Sequence, residues 1–300
     1  MDQIEQFSII QKIMAENAQD HITRVPLYAK IEEILKRPLL TYFTSLVYPV
    51  MIDDSDVDMI GGLLQGMDLS HGLVLMVSTH GGDGLAAERI IRTCKSFSGT
   101  HDFWVIVPGK AKSAGTMICF GAAKIIMTPS SELGPIDPQI MHRNVNGDEF
   151  PVSAISEVNT YQDLFKRAVS ETGRLEPYLQ QLSNYDATKI ASYVTAIELS
   201  KDIAIKALTQ GMMNGKTPEE ISASIELFLS PEATKTHGRP IFYEEAEKCG
   251  LNIEQLELTS ELGASVYELY VRLKMFSESR AVKVVESTNS SVHVPLQVRS

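Results

Sequence analysis

The stretch DFWVIVPGKAKSAGTMICFGAAKIIMTPSSELGPIDP, residues 102–138, decides how the chain is read. Phe103 to Val107 is an apolar, β-branched run that predicts a buried strand, stopped by Pro108 and Gly109. Lys110 to Thr116 follows, then small and apolar residues to Ala123 that predict a buried helix, and a second short strand at Lys124–Met127. Ser113 sits among small residues at the joint of strand and helix, which are the surroundings a nucleophile needs. Ala114 and Gly115 admit another backbone at close range, and the helix start offers unbonded N–H groups to an anion. The same spacing also suits a plainer role, with Ser113 as the cap of a core helix.

Working outward, Gly72–Thr79 (GLVLMVST) is a near-continuous apolar run, as in a parallel sheet covered on both faces. His80-Gly81-Gly82-Asp83-Gly84 leads from it into an amphipathic helix that ends near Phe97, which makes half of a βαβ unit. Glycines there permit positive φ and expose backbone N–H groups. The spacing is neither GxGxxG nor GK[ST], so it gives no support for a nucleotide phosphate cradle. An oxyanion hole needs only one or two N–H groups and fits better, a tight turn being the alternative. Leu39–Val47 reads as the first strand. Asp53, Asp54 and Asp56 then complement a helix dipole rather than ligate a metal, ahead of the apolar face Val57, Ile60, Leu63 and Leu64. Residues 1 to about 36 show helical spacing (Ile4, Phe7, Ile10, Ile13, then Ile31 and Leu35), ended by Pro38.

Beyond Pro138 the pattern changes. Met141–Phe150 reads as a polar loop with a turn at Asn146-Gly147, and Val152–Ser170 and Asp186–Met213 as long helices around a shorter one at Tyr178–Leu182. Thr217-Pro218-Glu219-Glu220 is a capping box. Pro231–Arg239 reads as loop, Ile241–Lys248 as a strand or turn entering a helix ended by Gly250, and Glu261–Phe276 as helix. The tail from Glu278 reads as an edge strand or as disordered. Strands early and helices late predict an α/β fold with parallel strands near Thr41–Leu46, Leu73–Ser78, Phe103–Val107 and Lys124–Met127. The expected units are a helical arm (1–37), a main domain (38–255) and a C-terminal helix and tail (256–300).

The net charge of −11 and the lack of a basic cluster argue against nucleic acid as a partner. Cys94, Cys119 and Cys249 lie far apart without a CxxC pair, which suits a reducing compartment. No apolar run approaches the ~20 residues of a membrane helix. The N-terminus lacks a signal-peptide pattern, so a complete chain is expected to be soluble and cytoplasmic.

At Ser78-Thr79-His80-Gly81-Gly82, Lys112-Ser113-Ala114-Gly115-Thr116 and Ser131–Gln139 (SELGPIDPQ) the chain resembles the serine dehydrogenase proteinase family. That family is similar to signal peptide peptidase A and, more distantly, to the Clp protease proteolytic subunit. Thr236-His237-Gly238-Arg239-Pro240-Ile241, with Glu245-Ala246 and Gly250-Leu251, looks like its closing segment. The resemblance implies a crotonase-like fold of stacked ββα units, ring assembly, and a serine peptidase acting on polypeptide without cofactor. It places the nucleophile at Ser113 and the oxyanion hole at Gly81 or Gly82 together with Ala114. The related turns usually carry proline where this chain has His80. The register that holds the Clp histidine falls on Ile136, and His237 or Gly238 falls near the position of the Clp aspartate.

A serine needs a base. Lys112 is adjacent but its side chain is expected to point away from Ser113, with orienting the loop or attracting a substrate carboxylate as its other role. Lys166 lies on the long helix where the signal peptidase lysine arises, without matching that motif. His237 has the motif support, while His80 and His142 are further histidines within range of consideration. A lysine is the first expectation and His237 the next. A second class of function, an inactive or acyl-binding module that uses the same fold, is the alternative. No nucleotide or PLP signature supports a dehydrogenase.

Overall fold

The structure, a computed structural model, describes residues 8–16, 20–144, 146–170, 173–230 and 236–297. The expected apolar positions Ile4 and Phe7 and the first part of the Pro231–Arg239 loop lie outside these residues. Five strands run parallel: β1 (Leu39–Thr44), β2 (Val74–Ser78), β3 (Trp104–Val107), β5 (Lys124–Met127) and β9 (Ile253–Gln255). With β10 (Ala281–Ser287) and β11 (Ser291–Pro295) they belong to a seven-stranded sheet ordered β11-β10-β1-β2-β3-β5-β9. Leu39 stands opposite Val74, Val74 opposite Trp104, Trp104 opposite Lys124, and Ile125 opposite Ile253.

Alternate residues of β1, β2, β3 and β5 enter two separate cores, which is why these strands read as near-continuous apolar runs. Leu40, Tyr42, Leu75, Val77, Val105, Val107, Ile125 and Met127 face one core. That core is closed by α3 (Asp54–Leu64), α4 (Gly84–Phe97), α5 (Ala114–Phe120) and the C-terminal half of α8 (Ala187–Thr209). Leu39, Phe43, Val74, Met76, Ile106 and Ile126 face the other. There α2 (Val25–Leu35) and α12 (Glu261–Ser279) cover the sheet, with α1 (Ile9–Ala15) lying on α12.

The tail differs from its reading. β10 (Ala281–Ser287) pairs antiparallel with β1 inside the sheet, and β11 (Ser291–Pro295) pairs with β10 at the edge. Residues on both sides of position 255 therefore share one sheet. The strand hides charged groups whose partners are remote in sequence. The Arg24 guanidinium donates to both Glu286 oxygens, Nε and Nη2 each at 2.7 Å, with both side chains almost fully buried. Lys283 Nζ meets Asp56 Oδ2 at 2.8 Å and Asp53 Oδ2 at 2.6 Å, and Tyr42 donates to Asp56 at 2.7 Å. Asp53 also caps α3. Two of the three early acids thus tie the first helix of the sheet layer to the last strand but one.

The expected polar loop at 141–150 is also corrected. β7 (Gln139–Arg143) and β8 (Glu149–Ser153) form an antiparallel hairpin, with Gly147 at φ +88° and the Asn144 side chain accepting the Asn146 and Asp148 N–H groups. Both faces of the hairpin are largely exposed, so alternation of apolar and polar residues is weak there. It leads into α6 (Ala154–Ser170), which packs on α7 (Glu176–Leu182) and α8. Two shorter ladders complete the scaffold. β4 (Lys110–Ala111) pairs parallel with β6 (Glu132–Leu133), and Leu133 bridges Ile241. The C-terminal helices α9 (Pro218–Ser224), α10 (Glu226–Leu229) and α11 (Tyr243–Lys248) pack beside them. Among the described residues, no helix is long and apolar enough to cross a membrane.

Removing one partner of a buried ion pair leaves the other charge in a low-dielectric interior, which costs about 3–5 kcal/mol. Glu286→Gln should therefore lower stability by about that amount in urea denaturation, whereas Arg24→Met with Glu286→Leu together should cost much less.

Candidate active site

The C-terminal ends of β2 and β3 open onto the region where the sequence motifs converge. β2 ends at Ser78, and Thr79 extends it into a second ladder: Thr79 N–H donates to Lys110 O at 2.9 Å, and Lys112 N–H donates to Thr79 O at 3.1 Å. The buried Thr79 hydroxyl accepts from Thr44 Oγ1 at 2.9 Å and from Gly81 N–H at 3.0 Å. These bonds hold the glycine turn directly over β4 and the serine two residues beyond it.

That residue is Ser113, between β4 and α5, at φ +50° and ψ −116°. A non-glycine residue there costs on the order of 1–3 kcal/mol and persists only when its surroundings impose it. The surroundings are visible. A Cβ on Gly81 (φ +102°) would stand 2.5 Å from Lys112 O and 2.7 Å from Ser113 Cβ, so only glycine lets the turn seat against the serine. A Cβ on Gly115 would stand 2.5 Å from Thr79 Cγ2. The sharp strand–serine–helix joint leaves Ser113 half-buried. Among the described residues its hydroxyl has no hydrogen-bond partner. The Gly81 N–H is committed to Thr79, whereas no acceptor among the described residues takes the Gly82 or Ala114 N–H.

The SELGPIDPQ segment is fastened to the same joint. Thr116 Oγ1, in the first turn of α5, accepts the Gly134 N–H at 3.0 Å and donates to Ala111 O at 2.7 Å. Leu133 and Ile241 exchange two backbone hydrogen bonds (3.0 and 3.1 Å), which brings back the loop that holds His237. His237 Nδ1 bonds Asp137 Oδ1, with Asp137 almost fully buried and the histidine 27% exposed. The other Asp137 oxygen accepts from Gln139 Nε2 at 3.0 Å. Asp137 was not singled out by sequence. The only signal was its place beside Ile136, where the histidine register falls, and nothing local shows that His237 returns to meet it. An open cleft of about 260 Å³ is lined by Asp137 together with Ile136, Ile155, Ile197 and Leu229.

The remaining candidates fall elsewhere. Lys112 is nearly buried, and its Nζ donates to Leu133 O at 2.9 Å and Arg239 O at 3.3 Å, with Glu132 Oε1 at 3.4 Å. Burial pulls its pKa below the usual lysine range, with Glu132 opposing that shift. Lys166 is exposed on α6, a helix that packs against α7, α8 and β8. His80 is exposed, its Nε2 3.2 Å from Leu46 O, and His142 lies on the hairpin 3.7 Å from Glu157. All three cysteines are buried, and burial pushes the Cys94 thiol up to about 12, as in a structural thiol. No group of three or more His, Cys, Asp or Glu residues among those described could hold a metal ion.

Two curated relatives match the chain, both uncharacterized proteins of Methanocaldococcus jannaschii. One is 30% identical over 186 residues, 60% of this chain and 52% of the relative. The other is 25% identical over 241 residues, 72% of this chain and 78% of the relative. The chain spans about half the length of the first. A family profile, the ClpP-like SDH-type serine proteinases, matches residues 11–164, which takes in the glycine turn, the strained serine and the Gly134–Asp137 turn described above. With half of its length inside that match, the chain belongs to the ClpP-like SDH-type serine proteinase family.

Proposed function

We propose that the chain is a serine peptidase in which Ser113 is the nucleophile, the N–H groups of Gly82 and Ala114 hold the oxyanion, and His237, oriented by Asp137, is the base. The observation that carries this reading is the strained backbone of Ser113, pressed against Gly81 with its hydroxyl left unpartnered. A helix cap bonds its own helix, and Ser113 makes no such bond.

In this reading Asp137 accepts the His237 Nδ1–H, which fixes the tautomer and aims Nε2 as the proton acceptor. His237 takes the Ser113 Oγ proton as Oγ attacks the peptide carbonyl. Gly82 and Ala114 stabilise the charge that develops on the carbonyl oxygen. His237 then protonates the leaving amine, and water resolves the acyl-serine by the same steps in reverse. Histidine and aspartate would thus stand on loops exchanged relative to the Clp subunit, as the registers at Ile136 and His237 suggest. The lysines, first choices by sequence, give way in this reading. Lys112 has its donors committed to carbonyls and a carboxylate, and Lys166 faces solvent.

The Thr79–Ala111 and Ala111–Leu133 ladders, set beside the main sheet, support the crotonase-like form of the fold. Polypeptide as substrate, and a cytoplasmic setting for a chain with three free buried cysteines, follow as parts of the same proposal. So does self-association. Phe165, Val169, Leu175 and Leu179 are 41–73% exposed on α6, α7 and the segment joining them, an apolar surface that a second copy would cover.

A fluorophosphonate probe should label the wild-type protein at Ser113. Ser113→Ala should abolish labelling, and His237→Ala should slow it by about 10³-fold or more. No labelling of folded wild type would return the chain to the acyl-binding reading. Light scattering at micromolar concentration should give a multiple of the 33.2 kDa chain, and a monomer would contradict the assembly proposal.

A further inference from the structure

We infer that Lys112 is a positioning residue: a buried cation that clamps the loop carrying His237 onto the turn carrying Asp137, and so sets where the base stands relative to Ser113. The inference rests on the peptidase reading above and assigns Lys112 a part in it other than that of base.

Three segments meet at one ammonium group. The Lys112 stem starts one residue past β4 and runs across Gly134, where an added Cβ would stand 2.5 Å from Lys112 Cδ. Its Nζ then reaches Leu133 O (2.9 Å) in β6, Arg239 O (3.3 Å) two residues beyond His237, and Glu132 Oε1 (3.4 Å). An ammonium has three protons and no lone pair, and here each proton has an acceptor to face. A lysine acting as base would need its lone pair aimed at Ser113, and this arrangement turns the nitrogen to two carbonyls and a carboxylate instead. Burial lowers the pKa of the group, and Glu132 opposes that shift as its countercharge.

The placement explains why a lysine stands next to the nucleophile while pointing away from it. Ser113 and Lys112 are neighbours on one rigid segment, pinned by the Thr79 ladder. The His237 loop also joins the scaffold through the Leu133–Ile241 exchange and through the Asp137 pair itself. Lys112 adds an attachment whose near end is covalently adjacent to the serine. A displacement of the loop is then resisted by the same peptide that carries the nucleophile. Gly134 belongs to the device, since any side chain there would push the lysine stem out of its channel.

The test uses fluorophosphonate-rhodamine on the full chain, with kinact and KI measured separately for wild type, Lys112→Met, Gly134→Ala, His237→Ala and the Lys112→Met/His237→Ala double variant. A positioning role predicts that Lys112→Met lowers kinact by about 10²-fold with KI little changed, the scale of a small misplacement of a catalytic group. Gly134→Ala, which keeps the charge and displaces the stem, should give the same pattern and serves if Lys112→Met does not fold. In the His237→Ala background, Lys112→Met should cost almost nothing more, because its effect passes through the histidine. Hydrogen exchange of Leu133 and Ile241 should quicken in Lys112→Met while that of β2 and β3 stays slow. An unchanged kinact in both single variants overturns the inference. So does an additive loss in the double variant, or labelling by Lys112→Met as low as that of Ser113→Ala, which would make Lys112 the base. Failure of the wild type to label overturns the peptidase reading and this inference together, whereas labelled wild type with indifferent variants overturns the inference alone.

Discussion

The backbone of Ser113 stands at φ +50° and ψ −116° because two chain segments approach more closely than side chains permit. Gly81 lies where any Cβ would overlap Lys112 O and Ser113 Cβ, and Gly115 lies where one would overlap Thr79. The strain is held in place by the Thr79 ladder, whose bonds to Lys110, Lys112, Gly81 and Thr44 converge on one buried threonine. Each of the other site elements is then placed by its connection to this joint. Thr116 fixes the Gly134 turn, Leu133 fixes Ile241, and the loop between them delivers His237 to Asp137.

A second constraint acts on the sheet as a whole. Its interior strand β10 comes from the far end of the chain and carries two charged side chains into the core. Glu286 is matched by Arg24 from the N-terminal side, and Lys283 by Asp53 and Asp56 at the start of α3. Replacing such groups by apolar residues can be energetically neutral, so their value lies elsewhere. Here the pairs choose one register for β10 against β1. A shift by one residue would turn both charges to the opposite face, away from their partners.

Much of this was legible in the residues themselves. β1, β2, β3 and β5 are near-continuous apolar runs because both of their faces are covered, and Ser113 with its glycine turn stood out by the small residues around it. β9 has one apolar residue in Ile253-Glu254-Gln255, and β4 is only two residues long, so neither carries a pattern. The tail read as a surface element because Lys283 and Glu286 look like surface residues until their distant partners are known. His237 was named through the resemblance, and Asp137 was missed because the pairing depends on a loop returning across 100 residues. The destination of Lys112 is likewise set by the fold: adjacency predicted only that it points away from Ser113, and its nitrogen bonds carbonyls on two other segments.

The account stands most directly on the geometry of attack at Ser113, and a crystal structure of the fluorophosphonate adduct measures it. The account predicts a phosphorus–Oγ bond at Ser113, with a phosphoryl oxygen about 2.7–3.1 Å from the N–H groups of both Gly82 and Ala114, and His237 Nε2 facing Oγ. An adduct at another residue, or an oxygen turned away from those two amides, would contradict it.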